Sequence, residues 1–445
     1  MVLSRAGLAI PLLPEVTCPN CWHSFPPEDA LWLAEHPDLN QDEKLGEGHK
    51  LRFLPSRFNL EGAAIDSRGC SCLDLACPEC HLKVSRPLFE ITPFFLSFLG
   101  APSSGKSYLL AAMTWRMRQA FPNHFCMSFE DSDPESNAML LEYEAEQFNN
   151  LKQDKPTLLA KTIVVGGDLY NTVNMNGVNV TFCRPFLFTL RPDSSHPHAE
   201  AKTIQRVICL YDNAGEHFEP GRDSAGAPVT RHLALSETLL FLFDPTQNAK
   251  FRTACQEFTD DPQMQAKEEL GRGESRVRQD VILSEAAARV RKYGGLGQAE
   301  KHNKPLIVLV TKYDCWRPLL DNGNLEEPWL NDPKGGPAGL KVDLIKEVSK
   351  KLKLLLQQYA PELVSVAESF CDEVYYLPVS ATGCSPEDIV GDEAETATNS
   401  DRPASGFRPK DIKPIWAEVP LLFPLCLRTR GVIGRAVSKR SNGKK

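Results

Sequence analysis

Two sets of residues in this chain have types and spacings suited to chemistry. The first is the run Gly100, Ala101, Pro102, Ser103, Ser104, Gly105, Lys106 and Ser107, which fits G-x-x-x-x-G-K-[ST]. Such a loop turns backbone amides toward phosphate oxygens, and the positive end of the following helix adds to the attraction. Lys106 is expected to reach the β and γ phosphates, and the Ser107 hydroxyl to ligate Mg²⁺. The second set is Cys18 and Cys21 in CPNC with Cys77 and Cys80 in CPEC. Two residues between cysteines let both thiolates of one tight turn face a single ion, and two such turns complete a tetrahedral zinc shell. The two turns are separated by 55 residues, so the segment between them is expected to loop out. Cys70, Cys72, His23 and His81 are rival ligands, and reduced, unliganded thiols are the plainer alternative.

Three further stretches end in polar residues that could serve the same ligand. TIQRVICLYDNAGEHF is an apolar strand pattern ending in D-x-x-G at Asp212 and Gly215. A carboxylate there can hold Mg²⁺ through water, and a glycine can bring its amide onto a γ-phosphate. PLIVLVTKYD ends in Thr311, Lys312 and Asp314. Asp314 can accept from both the N1 and N2 hydrogens of guanine, which adenine lacks, and Lys312 can lie over the base. VYYLPVSATG ends in Ser380 and Ala381, whose turn can offer an amide to the guanine O6. Each fragment alone is equally an ordinary strand end followed by a turn. Their order, and their common place after apolar runs, points to one ligand at the carboxyl ends of parallel strands.

The elements needed to position these groups are legible as patterns. Residues 94–99 form a short continuous apolar run, as a central strand buried on both faces does. From Tyr108 the pattern turns helical, with Leu109, Met113 and Met117 four apart and Pro122 as a stop. Leu344, Ile345, Val348, Leu352, Leu355, Leu356 and Tyr359 recur at helical spacing up to Pro361, the face of a helix packed on a sheet. The expected architecture is a three-layer α/β P-loop NTPase sheet of GTPase-like type behind a small zinc-ribbon-like domain. The boundaries are residues 1–92 for the cysteine module and 93–427 for the α/β domain, with a helical excursion at 249–303 and a basic tail at 428–445.

At this point the chain resembles the translation-factor class of P-loop GTPases, whose G1, G3, G4 and G5 motifs look like GAPSSGKS, DNAG, TKYD and SA. A cysteine-pair module ahead of such a domain is similar to the bacterial double-GTPase family. That resemblance implies GTP and GDP as ligands, Mg²⁺ and Zn²⁺ as cofactors, and slow GTP hydrolysis. It also implies a place in a bacterial NTP-dependent conflict system against phage, alongside a second GTPase-like protein. A switch threonine closing on Mg²⁺ is expected before the β-like stretch VNVTFCRPFLFTLRP, with Thr162 as the candidate, Thr172 as the rival and an ordinary strand or loop threonine as the plainer alternative for either. After Gly215 come Glu216 and His217, where many GTPases place Gln or His to orient the attacking water. A carboxylate there is repelled by the γ-phosphate unless protonated or screened, which predicts slow intrinsic turnover, and His217 is the more attractive helper. The Gly- and Pro-rich stretch EPGRDSAGAP reads as a mobile switch ordered by a bound γ-phosphate. Arg222 or Arg231 could stabilise transition-state charge in cis.

Composition bounds the remainder. The chain has 445 residues, 42% hydrophobic and 24% charged, ordinary values for a globular protein of two or three domains. A net charge of −8 argues against a globally basic nucleic-acid binder; the clearest local basic patch is the tail, 428–445, read as a solvated terminus ahead of a site for an anionic partner. No apolar run is long enough to span a bilayer, and Pro11 and Pro14 interrupt the opening apolar stretch, so a cytoplasmic protein is expected. Residues 391–406 read as a polar loop. Two competing readings remain: an ATP-driven P-loop protein for which TKYD is coincidental, and a scaffold in which nucleotide is only structural.

Overall fold

The computed structural model describes residues 11–159, 169–213, 215–218, 230–259, 261–265, 277–320, 324–388 and 405–436. Thr162, Arg222, the switch stretch 219–228, most of the polar loop 391–406 and the end of the basic tail lie outside the described residues, as does the side chain of Glu216.

A seven-stranded mixed sheet organises the chain. Its strands, in chain order, are β1 (Pro93–Gly100), β2 (Met127–Asp131), β3 (Phe186–Pro192), β4 (Arg206–Asp212), β5 (Thr238–Phe243), β6 (Leu306–Val310) and β7 (Val374–Pro378). Across the sheet they run β2-β3-β4-β1-β5-β6-β7. Strands β4, β1, β5, β6 and β7 pair in parallel, and β3 runs against both of its neighbours. The chain thus leaves β1 to build one side, then returns past it to build the other. The carboxyl end of β1 lies where the winding reverses, the usual location of a ligand crevice in an open α/β sheet.

Residues alternate across β1 and fix its two faces. Phe94, Leu96 and Phe98 join a core with α1 (Lys106–Ala120) and α2 (Pro134–Phe148). Leu99 joins the opposite core with α3 (Gln279–Gly294) and with α4 (Val342–Tyr359) and α5 (Pro361–Phe370). Helix α4 buries Ile345, Leu352 and Leu356, as its spacing predicts, and Pro361 both ends it and opens α5. A last helix, α6 (Val419–Arg428), packs its apolar residues into the first core. No described helix is long and apolar enough to cross a membrane.

The third core is the cysteine module seated on the sheet. Cys18, Cys21, Cys77 and Cys80 share it with Phe95 of β1 and with Val207, Cys209 and Tyr211 of β4. The module therefore covers the β4-β1 side of the face whose other side is covered by α3 and α5. The segment between the two cysteine turns does more than loop out. Its strands Leu31–Leu33 and Arg52–Phe53 join Leu75–Ala76 and Lys83–Val84 in one four-stranded sheet. Asp66 ties this segment together, its carboxylate accepting from the amides of Glu35, His36, Arg68 and Cys70.

Candidate functional site

The four cysteines meet at one point, with Cys18 Sγ 3.7 Å from Cys80 Sγ and Cys21 Sγ 3.6 Å from Cys77 Sγ. A tetrahedral shell with Zn–S bonds of about 2.3 Å has S···S edges of about 3.8 Å, so these thiols form a group that can hold zinc. The two turns are built alike. The amides of Trp22 and His81 donate to the carbonyls of Cys18 and Cys77, and both residues are left-handed, at φ 65° and 60°. Burial holds the Cys18 thiol well above its usual value, and hydrogen bonding to Cys18 does the same for Cys80. The rivals stay outside this group: His81 faces Asp42, with Nδ1 2.9 Å from its carboxylate, Cys72 leans toward Asp66, and His23 stacks on Phe25.

The 100–107 segment leaves β1 and enters α1, whose N-cap is Gly105 at φ 88°. Ser103 is also left-handed, at φ 60°. Left-handed residues in such a turn point successive amides into one concavity, a geometry suited to an anion. Lys106 curls back over the loop, its Nζ 3.3 Å from the Gly100 carbonyl and 3.0 Å from that of Ala101. The Ser104 hydroxyl is fully buried and makes no hydrogen bond among the described residues. Tyr108 faces away, its hydroxyl accepting from the Leu159 amide.

Strand β4 delivers Asp212 beside this loop. Its carboxylate is 2% exposed and hydrogen-bonds Ser107, while Oδ1 is buried with no partner among the described residues. Burial pushes this carboxyl up to about 6, against the pull of Lys106 and of the Ser107 hydroxyl. Gly215 lies directly on the loop: a Cβ there would stand 2.4 Å from Pro102 N and 2.6 Å from the Ala101 carbonyl carbon. Only glycine permits that approach. In the turn Gly215–Phe218, the ring of His217 packs edge-on against Tyr170, and its carbonyl accepts from Arg289 of α3. Thr172 sits in the hairpin Tyr170–Met175 with Val178–Cys183, where its hydroxyl meets that of Thr181. Arg231 immediately precedes the short helix His232–Leu235 and makes no side-chain capping bond to it.

The next strand ends bring the remaining residues alongside. Lys312, left-handed at φ 56°, follows β6 and sends Nζ to Asp244 Oδ2 at 2.8 Å and to the Thr246 hydroxyl at 3.0 Å. Thr311 closes onto β5 through the Phe243 carbonyl. Asp314 accepts from the Ser380 hydroxyl, which also accepts from the Gly383 amide; Ala381 follows in the same turn. Burial raises the Asp314 carboxyl above the usual range, and the Ser380 hydroxyl pulls it down.

Several residues of this edge are visible only in the fold. Asp244 accepts from Lys312, Thr246 and Gln247, and Gln247 donates in turn to the Pro102 carbonyl at 3.1 Å. One carboxylate thereby joins the 100–107 loop to the turn after β6. Asp244 ends its apolar strand as Asp212 ends β4, and that shared position was the available signal. Asp261, from the excursion after β5, lies 3.1 Å from the Cys315 thiol beside Asp314. A separate cleft of about 410 Å³ opens between the module and α2, lined by groups of both charge signs such as Arg52, Lys83, Glu135 and Arg184. No known protein-family model matches the chain, and no curated protein matches it either.

Proposed function

We propose that this protein binds guanine nucleotides with Mg²⁺ as a switch and hydrolyses GTP slowly. The observation that carries the reading is the convergence of four separated pieces of chain at one sheet edge: 100–107, 212–215, 311–314 and 380–381 follow β1, β4, β6 and β7, which lie within five adjacent parallel strands. Contacts between them support it further, since Ser107 bonds Asp212, Gly215 lies on Pro102, and Ser380 bonds Asp314.

Each group has a chemical task in this reading. The loop amides and Lys106 hold phosphates, as in the P-loop pattern of strand, G-x-x-x-x-G-K-[ST] and helix. The Mg²⁺ fit rests on the donor set: a hydroxyl and a carboxylate side by side, with one buried carboxylate oxygen unbonded, are hard oxygen ligands of the kind this ion takes. Bound there, the ion would neutralise charge on the phosphates. Asp314 accepts from the guanine N1 and N2 hydrogens, Ser380 holds that carboxylate in place, and Lys312 flanks the base. His217 is engaged with Tyr170, which favours slow turnover over fast. The wider role we assign follows the resemblance alone: one component of an NTP-dependent conflict system acting with a second GTPase-like protein.

Equilibrium titration with fluorescent guanine and adenine nucleotides, with and without Mg²⁺, tests the reading. It predicts guanine preferred by about a hundredfold or more, as for a site whose buried polar groups go unpaired with the wrong ligand. Equal affinity for the two bases would overturn it.

A further inference from the structure

Asp212 is held in place from behind, by the cysteine module. Tyr211, the residue before it in β4, is fully buried, and its hydroxyl donates to the carbonyl of Pro19 at 2.5 Å. Pro19 lies between Cys18 and Cys21. The Tyr211 ring meets three aromatic neighbours: Trp22, the residue after Cys21, with centroids 5.2 Å apart, His232, stacked at 4.6 Å and 14°, and Phe95 at 6.5 Å. Trp22 also packs on Phe95 of β1 at 4.5 Å, so one cysteine turn rests on both strands that feed the candidate phosphate site.

The residue after Asp212 is held by the same group. The His232 ring meets the Asn213 side-chain amide at 2.9 Å through Nε2 and the Ser97 hydroxyl at 2.5 Å through Nδ1. Ser97 in turn meets Ser236 at 2.6 Å. The main-chain carbonyl of Asp212 accepts from the Cys183 thiol at 3.8 Å. A tyrosine hydroxyl, an imidazole, an amide and two hydroxyls thus occupy a core between two layers, where apolar side chains would pack as well and carry no polar groups to satisfy. Together they tie the residues on both sides of Asp212 to the surrounding core.

We infer that Tyr211 is a positioning residue for Asp212, anchored on the cysteine turn, so that the contact of its hydroxyl with Pro19 sets how well Asp212 serves Mg²⁺. The inference rests on the nucleotide reading above. The carboxylate itself bonds Ser107 and leaves Oδ1 open, so its aim is set mainly by the backbone that Tyr211 and Asn213 hold. Loss of the Pro19 contact frees that backbone by one buried hydrogen bond without touching any group proposed to meet the nucleotide.

The test uses the full chain and compares wild type with Tyr211→Phe, which keeps the ring contacts and removes only the hydroxyl. Three quantities are read: bound zinc, affinity for labelled GDP without Mg²⁺, and the Mg²⁺ concentration at half-maximal enhancement of GDP binding. The expected result is unchanged zinc, unchanged Mg²⁺-free affinity, and a Mg²⁺ midpoint raised about fivefold, the scale of one buried hydrogen bond. A residue that only stabilises the fold would shift the melting temperature and leave the midpoint alone. An unchanged midpoint in folded, zinc-loaded Tyr211→Phe overturns the inference while leaving the nucleotide reading intact. Wild type that shows no Mg²⁺-enhanced GDP binding overturns both. If Tyr211→Phe does not fold, Ser97→Ala, which removes the hydroxyl that orients His232, is read in the same way.

Discussion

The Ser380 hydroxyl donates to the carboxylate of Asp314, joining two turns that stand 66 residues apart in the chain and follow neighbouring strands. One strand over, Asp244 receives Lys312 in the same manner. The edge of the sheet is thus organised around buried or half-buried carboxylates, each with a donor from a different turn. Such pairing fixes geometry at a cost in desolvation, and the cost is what makes the arrangement testable.

The cysteine site is tested by metal content. One zinc per chain is expected, and Cys77→Ser should lose it. Structural zinc contributes on the order of 10 kcal/mol to small modules, so the variant should lose the fold of residues 11–92. The face of β1 and β4 carrying Phe95 and Tyr211 would then be uncovered. Metal analysis with limited proteolysis checks this: the variant should carry no zinc and be cleaved within residues 11–92 under conditions that leave wild type intact.

Gly215→Ala should damage the site more than the fold. The added carbon would stand 2.4 Å from a backbone nitrogen of the loop, with no flexible side chain to give way. The turn must shift at roughly the cost of local overpacking, about 1–3 kcal/mol, which corresponds to a loss of GTP affinity of about fivefold to a hundredfold or more. Nucleotide titration against a melting curve separates the two effects; full affinity in the variant would mean that Gly215 does not meet the ligand.

Asp212→Asn should stabilise the ligand-free protein and weaken its response to Mg²⁺. A carboxyl raised to about 6 on folding takes up a proton relative to the unfolded chain, so its ionised form costs stability above that pH. The amide removes the charge, for a gain of about 2–3 kcal/mol at pH 7.5 that shrinks as pH falls through 6 toward 4. Melting temperatures at pH 7.5 and 4.5, with a Mg²⁺ titration at the higher pH, check both halves.

His302 makes the fold acid-sensitive. Its ring is 5% exposed and stacks on Phe370, Nε2 has no partner among the described residues, and burial with nearby Lys304 lowers its titration to about 4. Between pH 6.5 and 4 the unfolded chain binds a proton that the folded one refuses, so stability falls with pH across that window, by up to about 3 kcal/mol. Above pH 6.5 the group has no effect. His302→Phe should therefore lose less stability than wild type between pH 7 and 4.5, measured by urea unfolding.

The strands and the polar residues at their ends were legible because parallel strands buried on both faces read as unbroken apolar runs, and the turns after them carry unusual residue types. The pairs of the four-cysteine group were legible from spacing, although the rivals Cys70, Cys72, His23 and His81 were set aside only by the fold. What spacing could not supply was contact between distant segments. Nothing local marks Tyr211 as the partner of Pro19, or Gln247 as the partner of Pro102, because these bonds arise only when the module and β5 meet the β4-β1 side of the sheet. The segment between the cysteine turns was underestimated for a related reason. Its strands are two or three residues long, too short for a period to register, and exist through pairing with one another.

The most direct measurement concerns the group proposed to choose the base. Asp314→Asn exchanges an acceptor for a donor where the guanine 2-amino group is held, so it should reject guanine and accept xanthine, whose C2 bears an oxygen. Titration of the wild-type and variant chains with labelled GDP and XDP should show the preference reversing between them. Retention of guanine preference by Asp314→Asn, with no gain for xanthine, would contradict the account.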